Sequence, residues 1–348
     1  MAGPAGHPPF WRSDIHADRR PFLLARARII AAWRGWFAYN GFLEAEPGIL
    51  QVSPGNEAHI AGFATRIEDP DGQTRPLYLH SSPEFALKKL IAAGEEKLFA
   101  LSRVFRNGER GPLHHPEFTM LEWYRAGAPF HDLIADCLAL ARSAALAAGG
   151  RLLIWRGMQC DPFAEPEILS VSAAFARHAG VNLDATFTAQ GEDPEALAGE
   201  ARRLGLRVAA DDTWSDLFSK ILSAYIEPHL GLGRMTVLDR YPACEAALAQ
   251  RDPADPRLAE RFELYACGVE LANAFGELID PVEQRRRFEA EMAERSRIFG
   301  GAYPLDEDFL AALAHMPPAS GIALGAERLI MLAAGATRIE QVIWTPAP

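Results

Sequence analysis

The 348-residue chain lacks any apolar run approaching the roughly 18 residues that a membrane-crossing helix needs. Its richest apolar stretch, Cys137 to Ala148, is short and interrupted by Arg142, which predicts a helix packed in a core. The segment 1–20, MAGPAGHPPFWRSDIHADRR, has no apolar stretch of the kind a secretory signal carries. It reads as a flexible, Pro-rich lead-in, with one catalytic domain over 21–348. Cysteine is scarce: Cys137, Cys160, Cys244 and Cys267 stand far apart with no CxxC pair. That spacing excludes a zinc ribbon or a disulfide scaffold and predicts buried thiols in a reducing cytoplasm. Positive charge is in deficit too, with 35 Lys and Arg against 46 Asp and Glu and a net charge of −11. Broad nucleic-acid binding needs clustered cations, so general affinity for phosphate backbones is not expected. The runs Lys88-Lys89 and Arg285-Arg286-Arg287 are short and read as solvated helix faces.

What the chain does contain is pattern. Arg26 to Tyr39 places Ile29, Ile30, Trp33, Trp36 and Phe37 at helical spacing, with Gly41 as the stop. GFLEAEPGIL reads as extended chain around Pro47. Ser82 caps a helix that Pro83 opens and Ala86 to Ala93 continues. Phe118 to Tyr124 predicts a strand, Phe262 to Phe275 a hairpin, and Gly325 to Ala334 a helix entered through glycine. Between Pro162 and Leu230, helical patterns occur at Val171–His178, Pro194–Leu204 and Thr213–Ile226, without evident chemistry. Strands near 100–125 and 236–277 with helices around them predict an α+β fold with a largely antiparallel sheet.

Three segments concentrate chemical side chains. In VFRNGERGPLHHPEFTMLEWYR, Arg106 stands where a strand enters a polar loop, placed to offer its donor fork to a phosphate or carboxylate. Strand alternation puts Phe118, Met120, Glu122 and Tyr124 on one face. In RFELYACGVELANAFGEL, a two-residue turn at Cys267-Gly268 would set Tyr265 opposite Glu270 and Glu263 opposite Ala272. Glu263 and Glu270 then lie diagonally, roughly 7 Å apart, and repel unless a cation sits between them. Oxygen-only ligands with room for phosphate and water suit Mg²⁺. Glu277 follows at the same interval of seven, beside Asn273. In SGIALGAERLIMLAAG, Gly325 permits close approach of a ligand to the backbone and Arg328 stands one turn into the helix.

Together these segments resemble motifs 2 and 3 of the class II aminoacyl-tRNA synthetases, and GFLEAEPGIL resembles motif 1, with Pro47 in place of its hallmark proline. HHPEFTMLEWY and ELANAFGEL are similar to the lysyl branch. The resemblance spans Arg26 to the C-terminus and implies ATP-dependent amino-acid activation. By it, Arg106 and Arg328 are the catalytic cations. Arg106, Asn107, Gly108, Glu109, His115, Phe118, Glu270, Leu271, Gly325 and Arg328 hold ATP, Phe118 and Arg328 sandwiching adenine. Glu263 and Glu270 bind Mg²⁺. Ser82, Pro83 and Glu84 bind the substrate, Glu84 receiving its α-type amino group. Glu122, Tyr124 and Glu277 surround its distal ammonium, Asn273 takes its carboxylate, and Ala323 shapes the pocket. Such a pocket suits a dicationic amino acid.

This chain departs from the synthetase pattern in a few places. Motif 2 usually reads Arg-Asn-Glu, whereas here Gly108 takes the glutamate position and Glu109 follows. His115 stands where asparagine is common. Ala274 and Gly276 replace a glycine and a polar residue around Phe275. Full lysyl-tRNA synthetases carry an anticodon-binding domain before motif 1, which this chain is expected to lack. Its length, SSPEFALKKL and RGPLHHPEFTMLEWYRAG are similar to the elongation factor P–lysine ligase family. That resemblance implies lysine or β-lysine as donor, a lysine of elongation factor P as acceptor, no tRNA and a cytoplasmic location. Ala323, where lysyl-tRNA synthetases usually have glycine, would reshape the pocket for a β-amino acid. A minimal lysine–tRNA ligase and a non-catalytic binding paralogue stand as alternatives. Motif 1 implies a homodimer, for which the Arg26–Tyr39 helix is a candidate interface or, equally, a part of the core.

Overall fold

A computed structural model describes residues 9–246 and 248–348. Residues 1–8 of the expected lead-in therefore lie outside the described residues. From Ser13 onward the remainder is not a lead-in. Helix α1 runs Ser13–Tyr39 straight through Pro21, earlier than the Arg26 start that the pattern predicts. An interior proline ordinarily costs a helix about 3 kcal/mol. Tertiary contacts hold the first half in place: the Arg19 guanidinium donates to the Ile343 and Trp344 carbonyls, and Leu23 is fully buried.

The centre is an eight-stranded sheet. In chain order its strands are β1 (Leu43–Glu44), β2 (Lys97–Phe105), β3 (Glu117–Ala126), β4 (Glu167–Ser170), β5 (Thr236–Asp239), β6 (Arg261–Ala266), β7 (Val269–Gly276) and β8 (Ala319–Gly325). Across the sheet they run β1-β2-β3-β8-β7-β6-β5-β4. The six central strands pair antiparallel, and only the edge pairs β1–β2 and β5–β4 are parallel. The antiparallel α+β sheet expected from the sequence is present.

One face of this sheet is the core. Helices α1, α3 (Asp132–Ala148) and α9 (Ala326–Ala334) cover it, with Ile29, Trp33, Phe37, Cys137, Leu140 and Leu329 all fully buried. Phe37 stacks on Phe99 at 4.2 Å, and the Trp33 indole N–H donates to the Leu140 carbonyl at 3.1 Å. The apolar stripe of α1 thus enters the intramolecular core. Exposed apolar side chains follow it instead: Tyr39, Leu43, Ile49, Leu50 and Val52.

Helix α2 (Glu84–Ala92) closes the other face at one end, against α8 (Glu307–Leu313), with Phe85 stacked on Phe309 at 4.2 Å. A second, smaller core forms around α4 (Val171–Ala179), α5 (Pro194–Arg203) and α6 (Trp214–Ile221), where Phe175, Trp214 and Phe218 stack. Helix α7 (Pro281–Phe299), capped by Asp280, borders the cleft between these units. Among the described residues no helix is long and apolar enough to cross a membrane. Cys137, Cys160 and Cys267 are buried free thiols, but Cys244 is exposed, contrary to expectation, in the short turn after Pro242 that borders the cleft.

Candidate active site

The uncovered face of β3, β8, β7 and β6 floors a cleft of about 1010 Å³. One of its walls comes from the β2–β3 hairpin. Arg106 leaves β2 with its backbone N–H on the Pro116 carbonyl at 2.9 Å, and its guanidinium lies 5.4 Å from the Phe118 ring. The chain then reverses at Gly108, whose φ of +80° favours glycine. That backbone conformation accounts for a glycine in place of the usual motif 2 glutamate. The turn brings Glu109 back to the cleft, 3.9 Å from Arg106. Asn107 and Gly108 themselves are exposed and do not line the cleft; the Asn107 N–H ties the turn to the Ala61 carbonyl at 2.7 Å.

His115 lines the cleft, but both of its ring nitrogens are engaged. Nδ1 donates to the Glu117 carbonyl at 2.6 Å, and Nε2 accepts from the Ala347 N–H at 3.2 Å. Its neighbour His114, not singled out in the sequence, faces Arg328 at 2.9 Å. Burial and then the Arg328 charge hold His114 below the usual imidazole range, so it accepts from the guanidinium as a neutral ring.

Arg328 stands on the first turn of α9, where its Nη1 donates to the Glu270 carbonyl at 2.9 Å and carboxylate at 3.2 Å. A Cβ built on Gly325 would meet only Arg328 carbons, at 3.6–3.9 Å. The space beside that glycine is therefore open for a ligand. Behind this side lies a buried network absent from the sequence reading. Arg26 pairs with Glu327 at 2.8 Å and donates to Thr119 Oγ1 at 2.8 Å, while Glu327 accepts the Thr119 N–H at 2.8 Å. Thr119 and Glu327 are the chain neighbours of Phe118 and Arg328. The network fixes the strand and the helix that present those two side chains. Motif spacing cannot show it, because Arg26 is some 300 residues from Glu327 in sequence.

Strands β6 and β7 turn at Cys267 and Gly268, both with positive φ, and Tyr265 pairs Glu270 as expected. Further along, the register differs from expectation. A bulge follows Tyr265, so Leu264 pairs Ala272 and Glu263 pairs Asn273 rather than Ala272. Leu271 is the extra residue, which is why Glu270 and Asn273, three apart, share the cleft face. Glu263 is not held apart from Glu270 by bare repulsion. Its carboxylate pairs with Arg261 at 2.7 Å and accepts from the Tyr241 and Tyr265 hydroxyls, each at 2.6 Å. Arg261 also donates to Asn273 Oδ1 at 3.2 Å, which leaves the Asn273 amide N–H groups to donate into the cleft.

Whether Glu263 and Glu270 can hold a cation turns on charge. Glu227, reached by the Tyr265 hydroxyl at 3.4 Å, joins them. Burial first, then Glu263 and Glu270, push its carboxyl up to about 7. Two arginines face the three carboxylates, Arg261 on Glu263 and Arg328 on Glu270. No group of three or more His, Cys, Asp or Glu poised to hold a metal by itself occurs among the described residues.

The end of the cleft beside α2 is closed. Glu122, Tyr124 and Glu277 are at most 3 % exposed and lie behind Ser82 and Glu84, which line the cleft where those three do not. Ser82 Oγ donates to Glu122 at 2.6 Å and also accepts the Glu84 N–H at 3.0 Å, with Pro83 as the cap of α2. The Tyr124 hydroxyl donates to Glu122 at 3.0 Å. Burial, then repulsion from Glu84, pushes the Glu122 carboxyl up to about 8. Burial pushes Glu277 up to about 8 as well, although Lys88 opposes the shift. Lys88 itself is 1 % exposed, joining Glu84 at 2.5 Å and Glu277. It is not part of a solvated face; Lys89 alone is half-exposed, on Asp306 and Asp308. The arginine run divides likewise: Arg285 and Arg286 are exposed, while Arg287 is mostly buried and donates to the Ala249 carbonyl.

Gly321 makes the closed pocket possible, since a Cβ there would lie 2.2 Å from Glu277 Oε1 and 2.3 Å from Tyr124 Cε1. Gly276 serves Glu260 in the same way, outside the pocket wall. Ala323 sits on β8 between Glu122 of β3 and Asn273 of β7, facing the cleft. The middle of the chain, from which no chemistry was expected, supplies the far wall through Thr188–Glu192 and Thr213–Ser219 residues, with Glu227 near the Glu263–Glu270 corner. Glycine and carboxylate placements of this kind follow from packing between distant segments and leave no local pattern in the sequence.

Residues 15–347 match the family described as tRNA synthetases class II (D, K and N). Curated relatives include the elongation factor P–(R)-β-lysine ligase of Haemophilus influenzae strain PittGG, 39 % identical over 92 % of this chain and 93 % of its own length. The ligases of the same name from Edwardsiella ictaluri and Klebsiella pneumoniae strain 342 are each 39 % identical, over 92–93 % of this chain and 93–94 % of theirs. With an antiparallel sheet carrying Arg106 and Arg328 over a cleft floored by carboxylates, the chain belongs to the ATP-using class II synthetase family, on the branch of the elongation factor P–(R)-β-lysine ligases.

Proposed function

We propose that this protein activates β-lysine with ATP and transfers it to a lysine side chain of elongation factor P. The observation that carries the reading is the juxtaposition of two groups: Arg106 and Arg328 on the cleft, and a carboxylate cluster in which Glu84 lines the cleft and Glu122 and Glu277 are buried behind it, suited to a substrate with two ammonium groups.

ATP lies along the β3–β8–β7 floor, its adenine between Phe118 and Arg328, with Gly325 leaving room for the nucleotide. Glu109 replaces the missing motif 2 glutamate in reading the base. Glu263 and Glu270 hold Mg²⁺, which supplies charge neutralisation to the phosphates when bound. Asn273 and Arg106 orient the amino acid's carboxylate, and Glu84 takes the amino group nearer to it. A carboxylate oxygen attacks the α-phosphorus, the bond to pyrophosphate breaks, and an aminoacyl-adenylate remains. The guanidinium groups of Arg106 and Arg328 stabilise the charge that builds on the phosphoryl oxygens. In the second step the acceptor amine, unprotonated, attacks the carbonyl carbon. AMP leaves with the bonding pair, and the amine's proton passes to solvent. The acceptor being a translation factor, the enzyme works in the cytoplasm and needs no tRNA. A second copy covers the exposed apolar row Tyr39, Leu43, Ile49, Leu50 and Val52 beside edge strand β1.

Purified enzyme should catalyse ATP–pyrophosphate exchange with (R)-β-lysine in preference to α-lysine, and should raise the mass of elongation factor P by one lysyl residue. Charging of tRNA with no change in elongation factor P would instead support the minimal tRNA ligase.

A further inference from the structure

One side chain in the pocket has no part in that mechanism. Lys88 is an almost fully buried ammonium, and a buried lysine is expensive unless its charge is matched. It is matched twice. Glu84 stands one helical turn before it on α2, at 2.5 Å, and Glu277 reaches it from the end of β7. The remaining polar groups of the pocket, Glu122 and Tyr124 on β3, bond to each other and to Ser82. The adjacent Lys89 points away to Asp306 and Asp308, because successive helix positions lie on different faces.

Resting on the diamino-acid reading above, we infer that Lys88 is a specificity-determining positioning residue: by bridging Glu84 and Glu277 it cancels one of the pocket's three carboxylate charges and leaves room for two ammonium groups. Without Lys88 the pocket would demand a third cation, which a diamino acid cannot bring. With it, three buried carboxylates and one buried ammonium meet a dication at neutrality. The empty pocket agrees in direction, since burial pushes the Glu122 carboxyl up to about 8 and pushes Glu277 up against the pull of Lys88. Lys88 also holds Glu277 in place: its ammonium is the fixed partner against which that carboxylate is set, on the floor that Gly321 leaves open.

The test is a set of four proteins in the exchange assay: wild type, Lys88→Met, Glu277→Gln, and the double variant. Lys88→Met should raise KM for (R)-β-lysine by about tenfold or more, with KM for ATP unchanged. Charge matching makes a second demand that packing alone does not. Lys88→Met should lower KM when added to Glu277→Gln, because the double variant again holds two uncompensated carboxylates. If Lys88→Met raises KM equally in both backgrounds, or changes it in neither, the inference is overturned. Should the single Lys88→Met protein fail to fold, the comparison of Glu277→Gln with the double variant, which removes both members of the Lys88–Glu277 pair, still decides. A wild-type enzyme giving no exchange with any diamino acid would overturn the functional reading and this inference with it. Active wild type with additive variants would overturn the role of Lys88 alone.

Discussion

The two halves of the cleft differ in how they meet their ligands. On the side proposed for the nucleotide, Arg106, Glu109, Phe118 and Arg328 are partly exposed; Arg106 has only a 3.9 Å ion pair and a ring face, and Arg328 a neutral imidazole and Glu270. On the amino-acid side, Glu122, Tyr124, Glu277 and Lys88 are sealed from water and tied to one another. Polyphosphate binding tolerates this looseness because the ligand brings most of the charge and geometry. Choosing one small diamino acid does not, because discrimination comes from buried groups that are left unpaired by the wrong ligand. The open half should therefore govern rate and the closed half selectivity.

The strongest way to break this comparison is Arg106→Ala. Losing the cation proposed to face both the α-phosphate and the substrate carboxylate should lower kcat for exchange by about 10²–10³-fold. Thermal stability should change little, since Arg106 makes no close buried pair. Exchange kinetics beside a melting curve would check both. A loss confined to KM for the amino acid would mean that the open half, too, acts through selectivity.

Gly321→Ala attacks the other half from behind. Its Cβ would overlap Glu277 and Tyr124, so one of them must move. Overpacking of this kind costs about 1–3 kcal/mol, which predicts a rise of about 10–100-fold in KM for β-lysine. ATP binding, measured by titration in the absence of amino acid, should stay near the wild-type value. Equal losses for both ligands would show that the halves are not independent.

Protonation offers a gentler perturbation. In the empty pocket the Glu122 carboxyl titrates near 8, well above an ordinary glutamate. The folded, empty protein therefore binds more protons than the unfolded chain between about pH 4.5 and pH 8, and its stability should fall as pH rises through that window. A bound diamino acid supplies the missing positive charge and displaces protons. Its affinity should rise as pH goes from about 6 to 8, by at most about tenfold per pH unit for each proton released. Calorimetry in buffers of different ionisation enthalpy would count those protons. Binding with no proton release would contradict a pocket kept neutral by protons.

The two halves were unequally legible in the sequence. Arg106, Phe118 and Arg328 announce themselves because each sits at a fixed offset from a glycine or a strand start, so local spacing carries their roles. The Glu263–Glu270 pair follows from a two-residue turn, but the bulge at Leu271 does not, and the bulge decides that Asn273 shares their face. Lys88 was misread for a physical reason: two adjacent lysines on a surface-looking helix give no sign of which one turns inward. That depends on Glu277, nearly two hundred residues away. The Pro21-spanning start of α1 was hidden in the same way, because its support comes from the C-terminal carbonyls that Arg19 meets. Contacts set by local geometry were readable; those set by long-range charge pairing were not.

The finest distinction rests on Ala323. It occupies the strand between Glu122 and Asn273, one on each side, so its methyl group stands between the groups assigned to the distal ammonium and to the carboxylate. A β-amino acid moves its amino group one carbon further from its carboxylate than an α-amino acid does. On the reading proposed above, a methyl at this position narrows the cleft between those two groups. Removing it with Ala323→Gly should leave KM for ATP and the melting temperature nearly unchanged, and should shift the preference between β- and α-lysine toward the α-isomer by about tenfold, the low end for one methyl group in a tight pocket. Exchange assays with the two isomers measure the ratio directly. An unchanged ratio would move the discrimination off β8 and onto Glu84, where the amino group itself is held.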